Sequence, residues 1–211
     1  MRTVSPMKPF RTLSGRVEAE LKEKGSRFLA IAVPVRARRD AERFIADEAA
    51  RFREATHVVP AFLLHDGTAF ASDAGEPAGS SGPPLLQSIE AAGLADVAAV
   101  VVRWYGGTRL GVGGLVRAYS GTLNAALAGA ATVVAVPALR VRVSYDHGRT
   151  SSVLRAIAVH GGRELAQEFG DTVTCTFTMP EKEYAAFGIR LRDATQGSIG
   201  AERIASTVIY A

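Results

Sequence analysis

The sequence predicts an α+β protein built from two domains, and three observations lead there. Its 211 residues allow one large domain or two small ones, at roughly 100 to 200 residues each. Residues 139–209 read strand, helix, strand, strand, helix, strand, the βαββαβ order of a ferredoxin-like sheet with helices on one face. The stretch before them alternates short apolar runs with helical spacing and carries two glycine-rich loops of its own. The pattern restarts after Pro137-Ala138, so the expected domains are 1–136 and 137–211.

Each element has a local reason. Thr12 to Glu20 forms a first extended element, where Leu13, Val17, Ala19 and Leu21 loosely alternate with polar residues up to the turn Lys24-Gly25-Ser26. Arg27 to Val35 reads as a buried strand. From Asp40, the expected N-cap, Phe44, Ile45, Glu48, Ala49 and Phe52 recur at helical spacing, with Arg43, Asp47 and Glu54 on the opposite face. His57 to Leu64 and Thr68 to Ala71 are apolar runs joined by His65-Asp66-Gly67, an Asp-Gly hairpin signal that predicts antiparallel pairing. The loop Ser72 to Pro83 is too rich in Gly and Pro for a helix or central strand. Pro84 opens a helix, Leu85 to Ala92, that stops at Gly93. Val97 to Trp104 is a valine-rich run suited to a strand buried on both faces. The glycine loop Gly106 to Gly114 follows, then a helix in which Leu115, Tyr119, Leu123 and Leu127 recur every four residues. Thr132 to Val136 closes the first domain. The second then reads strand Leu139–Tyr145, helix 150–160, strands 163–169 and 172–179, helix 181–193 and strand 203–209, with turns at Gly161-Gly162 and Gly170-Asp171.

Composition excludes several classes. Hydrophobic residues at 47% against 22% charged leave enough core to exclude a mainly disordered chain. Residues 1–53 hold 13 Lys and Arg against 7 Asp and Glu, leaving 12 against 14 for the remainder, so the +4 formal charge is concentrated at the amino-terminal end. Such a surplus either attracts phosphates or serves as a solvated face. Cys175 is the sole cysteine, so no intrachain disulfide forms; strand-like flanks and a reducing cytoplasm are expected. Met1 to Phe10 lacks an apolar run of signal-peptide length. Residues 118–139 carry no charge and are long enough to span a bilayer. They include Ser120, Thr122, Asn124 and Pro137, and their apolar part is mainly alanine, so a buried helix followed by a strand is expected, with no membrane.

The glycine loop is the most specific feature. Arg103, Tyr105, Arg109, Arg117 and Tyr119 surround Gly106, Gly107, Gly111, Gly113 and Gly114. Consecutive glycines let a backbone approach a ligand, and the helix that follows offers free amides to an anion. These ten residues are the candidate RNA- or anion-binding set. The alternative is a tight turn that needs positive φ and close helix–strand packing. The loop lacks the Lys and Ser/Thr of a Walker sequence and has Val116 where a third dinucleotide glycine belongs, so neither ATP nor NAD is supported. His57, Asp73, Gly75, Glu76 and Pro77 form a second cluster whose role the sequence leaves open. Asp73 and Glu76 suit bracing of the loop by carboxylate to backbone N–H bonds. A metal held by His57 or His65 with these carboxylates is the lesser alternative, and no nucleophile elbow or zinc spacing is present. Trp104 suits either base stacking or a buried strand end. His147 and His160 read as surface or helix-end residues. No cofactor or metal is expected.

Ser26-Arg27-Phe28, Ala55-Thr56-His57, Ser72-Asp73-Ala74-Gly75-Glu76-Pro77-Ala78-Gly79-Ser80-Ser81-Gly82 and the long run Arg103 to Tyr119 together resemble the YigZ/IMPACT family, over about residues 15–130. Trp104 stands where Tyr or Phe is usual, and Ser80-Ser81 where Thr-Ala is common. The resemblance implies a first domain with the β-α-β fold of elongation factor G domain IV. It also implies a ferredoxin-like second domain similar to a carboxy-terminal domain of that factor, and a link to translation regulation. Eukaryotic members act on an initiation-factor kinase pathway through a separate RWD domain that this chain lacks, so that role does not transfer. A proline dipeptidase activity finds no metal-ligand spacing here.

Three functional readings follow. The favoured one is a nonenzymatic cytoplasmic protein that contacts RNA or the ribosome through the Arg-flanked loop, with a protein partner in translation control also in view. A small-molecule enzyme or anionic-ligand binder would instead close the two glycine-rich loops over its ligand, with Glu76 or His57 as general base. A protein-interaction module would use the exposed sheet face of the second domain. Oligomeric state is not legible.

Overall fold

The structure, a computed structural model, describes residues 8–210. The stretch read for a signal peptide, Met1 to Phe10, lies largely outside the described residues. By its internal contacts the chain divides into two compact units, Phe10–Val133 and Val134–Ala211.

The first unit is built on a mixed-length antiparallel sheet. Its strands are β2 (Val17–Glu23), β3 (Ser26–Pro34), β4 (His57–Leu63), β5 (Ala69–Ala71) and β6 (Val97–Trp104), in the order β2-β3-β6-β4-β5. Central strand β6 is buried on both faces, as its valine run predicts. Val97, Ala99 and Val101 pack with Leu85 and Ile89 of α2 (Gly82–Ala91) and with Leu115, Tyr119 and Leu123 of α3 (Val112–Ala128). Ala98, one step out of phase, packs with Phe62 and with Ala41, Phe44 and Ile45 of α1 (Arg38–Arg51). Period-two alternation thus feeds two helical layers from one strand.

Four expectations need correction in detail. The extended element at Thr12–Glu20 is two strands, β1 (Phe10–Leu13) and β2, broken at Ser14-Gly15-Arg16. The Ser14 N–H donates to the Ala131 carbonyl (2.9 Å) and Arg11 Nη2 to Thr132 Oγ1 (3.1 Å), which draws β1 away from the sheet that β2 enters. Helix α1 is preceded by Ala37 in extended conformation, and Asp40 lies inside the first turn, where its charge faces the positive helix end without capping it. Helix α2 begins two residues before Pro84, with prolines at its first positions. Strand β7 (Thr132–Tyr145) runs unbroken through Pro137. Pro137 has a ladder partner on one side only, Val208, because the ladder to β9 (Val173–Pro180) starts one residue later, at Ala138↔Pro180.

The second unit has the βαββαβ order: β7, α4 (Thr150–Val159), β8 (Arg163–Phe169), β9, α5 (Tyr184–Thr195) and β10 (Glu202–Tyr210). The strands lie β10-β7-β9-β8, all antiparallel, which is the ferredoxin-like arrangement. Leu139, Val141 and Val143 alternate with Val173, Cys175 and Phe177 onto one face and pack on Val153, Ile157, Phe187 and Leu191 of the helices. Cys175 is buried in this core. No helix among the described residues is long and apolar enough to cross a membrane.

Candidate anion-binding site

The sheet register assembles the site. Arg103 near the end of β6 stands opposite Phe28 on β3 and His57 on β4, so the three side chains share the face covered by α2 and α3. The next residue, Trp104, goes to the other face, where its ring meets Phe52 edge-on (5.8 Å) and takes the Arg27 guanidinium at 4.5 Å. Trp104 is therefore occupied by the protein's own side chains. Tyr105 turns outward and is 47% exposed.

Beyond β6 the chain enters the glycine loop under two anchors. The Tyr105 N–H donates to Thr56 Oγ1 (2.9 Å) and the Gly106 N–H to Ser26 Oγ (3.2 Å). At Gly106 any side chain would collide with the backbone of Gly25 and Ser26, so glycine is required by contact. Gly107 (φ +87°) and Gly111 (φ +71°) face open space and are required by conformation. Gly111 is the N-cap of α3 and supplies no side-chain cap, and the first turn contains no acidic residue. The first amides of α3 therefore lack intrahelical acceptors at a helix end of positive potential. Exposed Arg109 precedes this end, and Arg117 reaches back to it, its Nη1 lying 3.5 Å from where a Cβ on Gly113 would sit.

The second loop is organised by Asp73. Its Oδ2 accepts the Gly79 N–H (2.7 Å), and its Oδ1 accepts the Ser81 and Gly82 N–H groups and the Ser81 hydroxyl (each 2.9 Å). The carboxylate thus caps α2 from eight residues upstream. Burial pushes its pKa up, but these donors outweigh burial and hold it down at about 2.

Glu76 differs from the bracing role expected of it. Its side chain, 3% exposed, accepts no backbone N–H among the described residues. Oε1 instead receives Arg103 Nη1 and the Tyr119 hydroxyl, each at 2.7 Å. Burial first, then the bond to Glu76, raises the Tyr119 pKa far above its ordinary value, so the phenol stays a neutral donor. His57 Nδ1 lies 2.8 Å from the Ala74 carbonyl oxygen. A carbonyl only accepts, so Nδ1 carries a proton, and Nε2 stands 4.0 Å from Glu76 Oε2. Arg103, 6% exposed at its side chain, also sends Nη2 toward Ser26 Oγ (3.4 Å), while its buried Nε has no partner among the described residues.

A pocket of about 490 Å³ joins the two loops. Glu76, Pro77, Arg103, Tyr105, Arg109 and Gly111 line it, together with Leu110, Val112 and Leu115, of which the sequence singled out only Leu115, and that as part of the helical repeat. Asp73, Gly75, His57, Gly113, Gly114 and Arg117 are not among its lining residues. Among the sequence candidates, Tyr119 is fully buried and Arg103 nearly so, both committed to Glu76. They shape the pocket from within, whereas Tyr105, Arg109 and Arg117 present themselves outward. Ser26 and Thr56 were visible in the sequence only as motif members, and their anchoring role comes from a pairing distant in the chain. His65 turns away to Asp96 (2.9 Å). Among the described residues no three His, Cys, Asp or Glu side chains gather as a metal-holding group.

Comparison with known proteins locates both units. The sequence matches the Impact N-terminal domain over residues 24–127 and a domain of unknown function, DUF1949, over residues 143–198. It is 43% identical over 134 residues to an IMPACT family member in the pol 5′ region of Thermus thermophilus, covering 62% of this chain and 73% of that one. It is 33% identical over 128 residues to the IMPACT family member YigZ of Escherichia coli, covering 61% of this chain and 63% of the relative. For a Haemophilus influenzae family member the identity is 34% and the shares 61% and 62%. The match therefore spans less than two thirds of the Escherichia and Haemophilus relatives. A crystal structure described as that of an hypothetical protein superposes with a TM-score of 0.74 at 27% identity, over 94% of this chain and 98% of that one.

Proposed function

The chain belongs to the IMPACT family, and from that premise, with the family's link to translation regulation, we propose that it is a nonenzymatic cytoplasmic protein that contacts RNA, free or ribosomal, through the Arg-flanked glycine loop. One observation supports this above the others. The uncapped start of α3, with no acidic residue in its first turn, has Arg109 before it and Arg117 folded back beside it. Two cations at the positive end of a helix dipole oppose one another, and a phosphate relieves that opposition while accepting the free amides. Exposed Tyr105 beside them offers a ring face to a base.

The groups that would serve acid–base chemistry are engaged structurally. Glu76 is held by Arg103 and Tyr119, and His57 by the Ala74 carbonyl. That favours binding over catalysis by this cluster. Titration of ¹⁵N-labelled protein with single-stranded RNA tests the location. The amide signals of Tyr105, Val112, Gly113 and Gly114 are expected to shift first and most. Shifts confined to other surfaces, or none at low salt, contradict the reading.

A further inference from the structure

Independently of the RNA-contact reading, which concerns the first unit, we infer that the groove between α4 and α5 is a docking surface for an acidic amphipathic helix of a partner protein. Helix α4 buries Val153, Ala156 and Ile157, and α5 buries Phe187, Leu191 and Thr195. Ile189 follows Phe187 by two residues, about 200° around the helix, so it stands away from that core and is 55% exposed. Val159, one turn past Arg155 on α4, is 60% exposed. These two aliphatic side chains on the outer surface serve no core of this chain.

A cavity of about 670 Å³ lies between the helices, lined from α4 by Arg155 and from α5 by Ile189 and Arg190, among others. On α5 the lining positions Ala186, Arg190 and Ala194 recur every four residues, with Ile189 and Asp193 beside them. They form one stripe about 12 Å long, a little over two helical turns. A groove of that length between two helices receives the side-chain ridge of a third.

Charge identifies the occupant. The side chains of Arg155 and Arg190 form no ion pair or hydrogen bond with another described residue. Helix α4 carries no acidic residue and α5 only Asp193, while the nearby Glu183 is engaged by His160 Nδ1 at 3.0 Å. The lining therefore offers two free guanidinium forks against one carboxylate. Acidic side chains flanking an apolar ridge would pair with both guanidiniums while the ridge covers Ile189. Asp193 admits a Lys or Arg at its end of the groove, which fixes the direction of the docked helix. An RNA strand is the poorer match, because Asp193 repels phosphate and the one ring in the lining, His160, is already packed edge-on against Phe187 (6.1 Å).

Fluorescence anisotropy of labelled, stapled helical peptides titrated with the full chain tests this. The probe is a peptide of about 15 residues, long enough to hold a helix, with leucines along one face, glutamates flanking them and a single lysine at one end. It should bind about tenfold or more tighter than a scrambled peptide of the same composition and than a peptide with its glutamates changed to lysine. The Arg155→Glu/Arg190→Glu double variant should lose the acidic peptide and gain the lysine one, and Ile189→Asp should lose both, each variant melting like the wild type. Should Ile189→Asp melt lower, a weakened affinity in Ile189→Ala carries the same test. No binding of the acidic peptide, equal binding of the scrambled one, or binding undiminished in the double variant overturns the inference. Single-stranded RNA that displaces the peptide and is itself lost in the double variant assigns the groove to nucleic acid and overturns it. So does a concentration-dependent dimer in sedimentation velocity that Ile189→Asp abolishes, which assigns the groove to a second copy of this chain.

Discussion

The carboxylate of Glu76 and the guanidinium of Arg103 meet at 2.7 Å with both side chains nearly excluded from solvent. Glu76 comes from the first glycine-rich loop and Arg103 from the end of β6, so this pair fixes one loop against the strand that launches the other. Tyr119 reaches the same carboxylate oxygen from α3, and three separate segments thereby converge on one atom.

Removing one member of this pair should be costly, because the remaining charge is left buried without its counterpart. Glu76→Ala is expected to destabilise the first unit by about 3–5 kcal/mol. Tyr119→Phe, which removes one bond to an ionised acceptor, is expected to cost about 1.5–3 kcal/mol. Urea unfolding measures both. A loss below about 1 kcal/mol for Glu76→Ala would show that the pair does not hold the loops.

Asp73 should give the protein an acid-sensitive step. Its folded-state pKa, about 2, lies below the ordinary aspartate value of about 3.9. The bound state of the carboxylate therefore contributes stability that is fully present above about pH 4 and lost as pH falls from there through about 2. The urea midpoint of the wild type should decline across that window more steeply than that of Asp73→Asn. Parallel declines would remove Asp73 from this role.

The glycines of the loop should separate into two kinds. Gly107→Ala places a Cβ into open space at φ +87° and is expected to cost about 1–2 kcal/mol for the left-handed backbone alone. Gly106→Ala meets the Gly25 backbone, which cannot yield as a flexible side chain would, and is expected to be the more damaging of the two. Thermal melts of the two variants decide it, and equal losses would contradict the close approach of the two backbones.

Much of the fold was legible because it rests on local patterns. The valine run of β6, the Asp-Gly hairpin joining β4 to β5 and the four-residue spacing of α3 each follow from periodicity or turn chemistry within a few residues. What escaped was set by distant partners. The break between β1 and β2 depends on Ala131 and Thr132, more than a hundred residues away, and β7 continues through Pro137 in register with β10, where Pro137 pairs with Val208. The same division holds in the site. Glycine chemistry marked the loop, and adjacent arginines suggested an anion. That Arg103 points inward follows from strand alternation combined with α3 covering one sheet face, whereas exposed Arg109 lies in the loop between β6 and α3. The bond from Glu76 to Tyr119, 43 residues apart, has no local signature.

Cosedimentation of the purified protein with ribosomes and with total RNA across a salt series, alongside the Arg109→Ala/Arg117→Ala double variant, tests the central claim most directly. The account expects binding at low salt that falls steeply as salt rises. The double variant should melt like the wild type, bind weakly and lose about 1.4 from the slope of log K against log salt if both arginines contact single-stranded phosphates. Failure to sediment at low salt, or a double variant that sediments like the wild type, would contradict it.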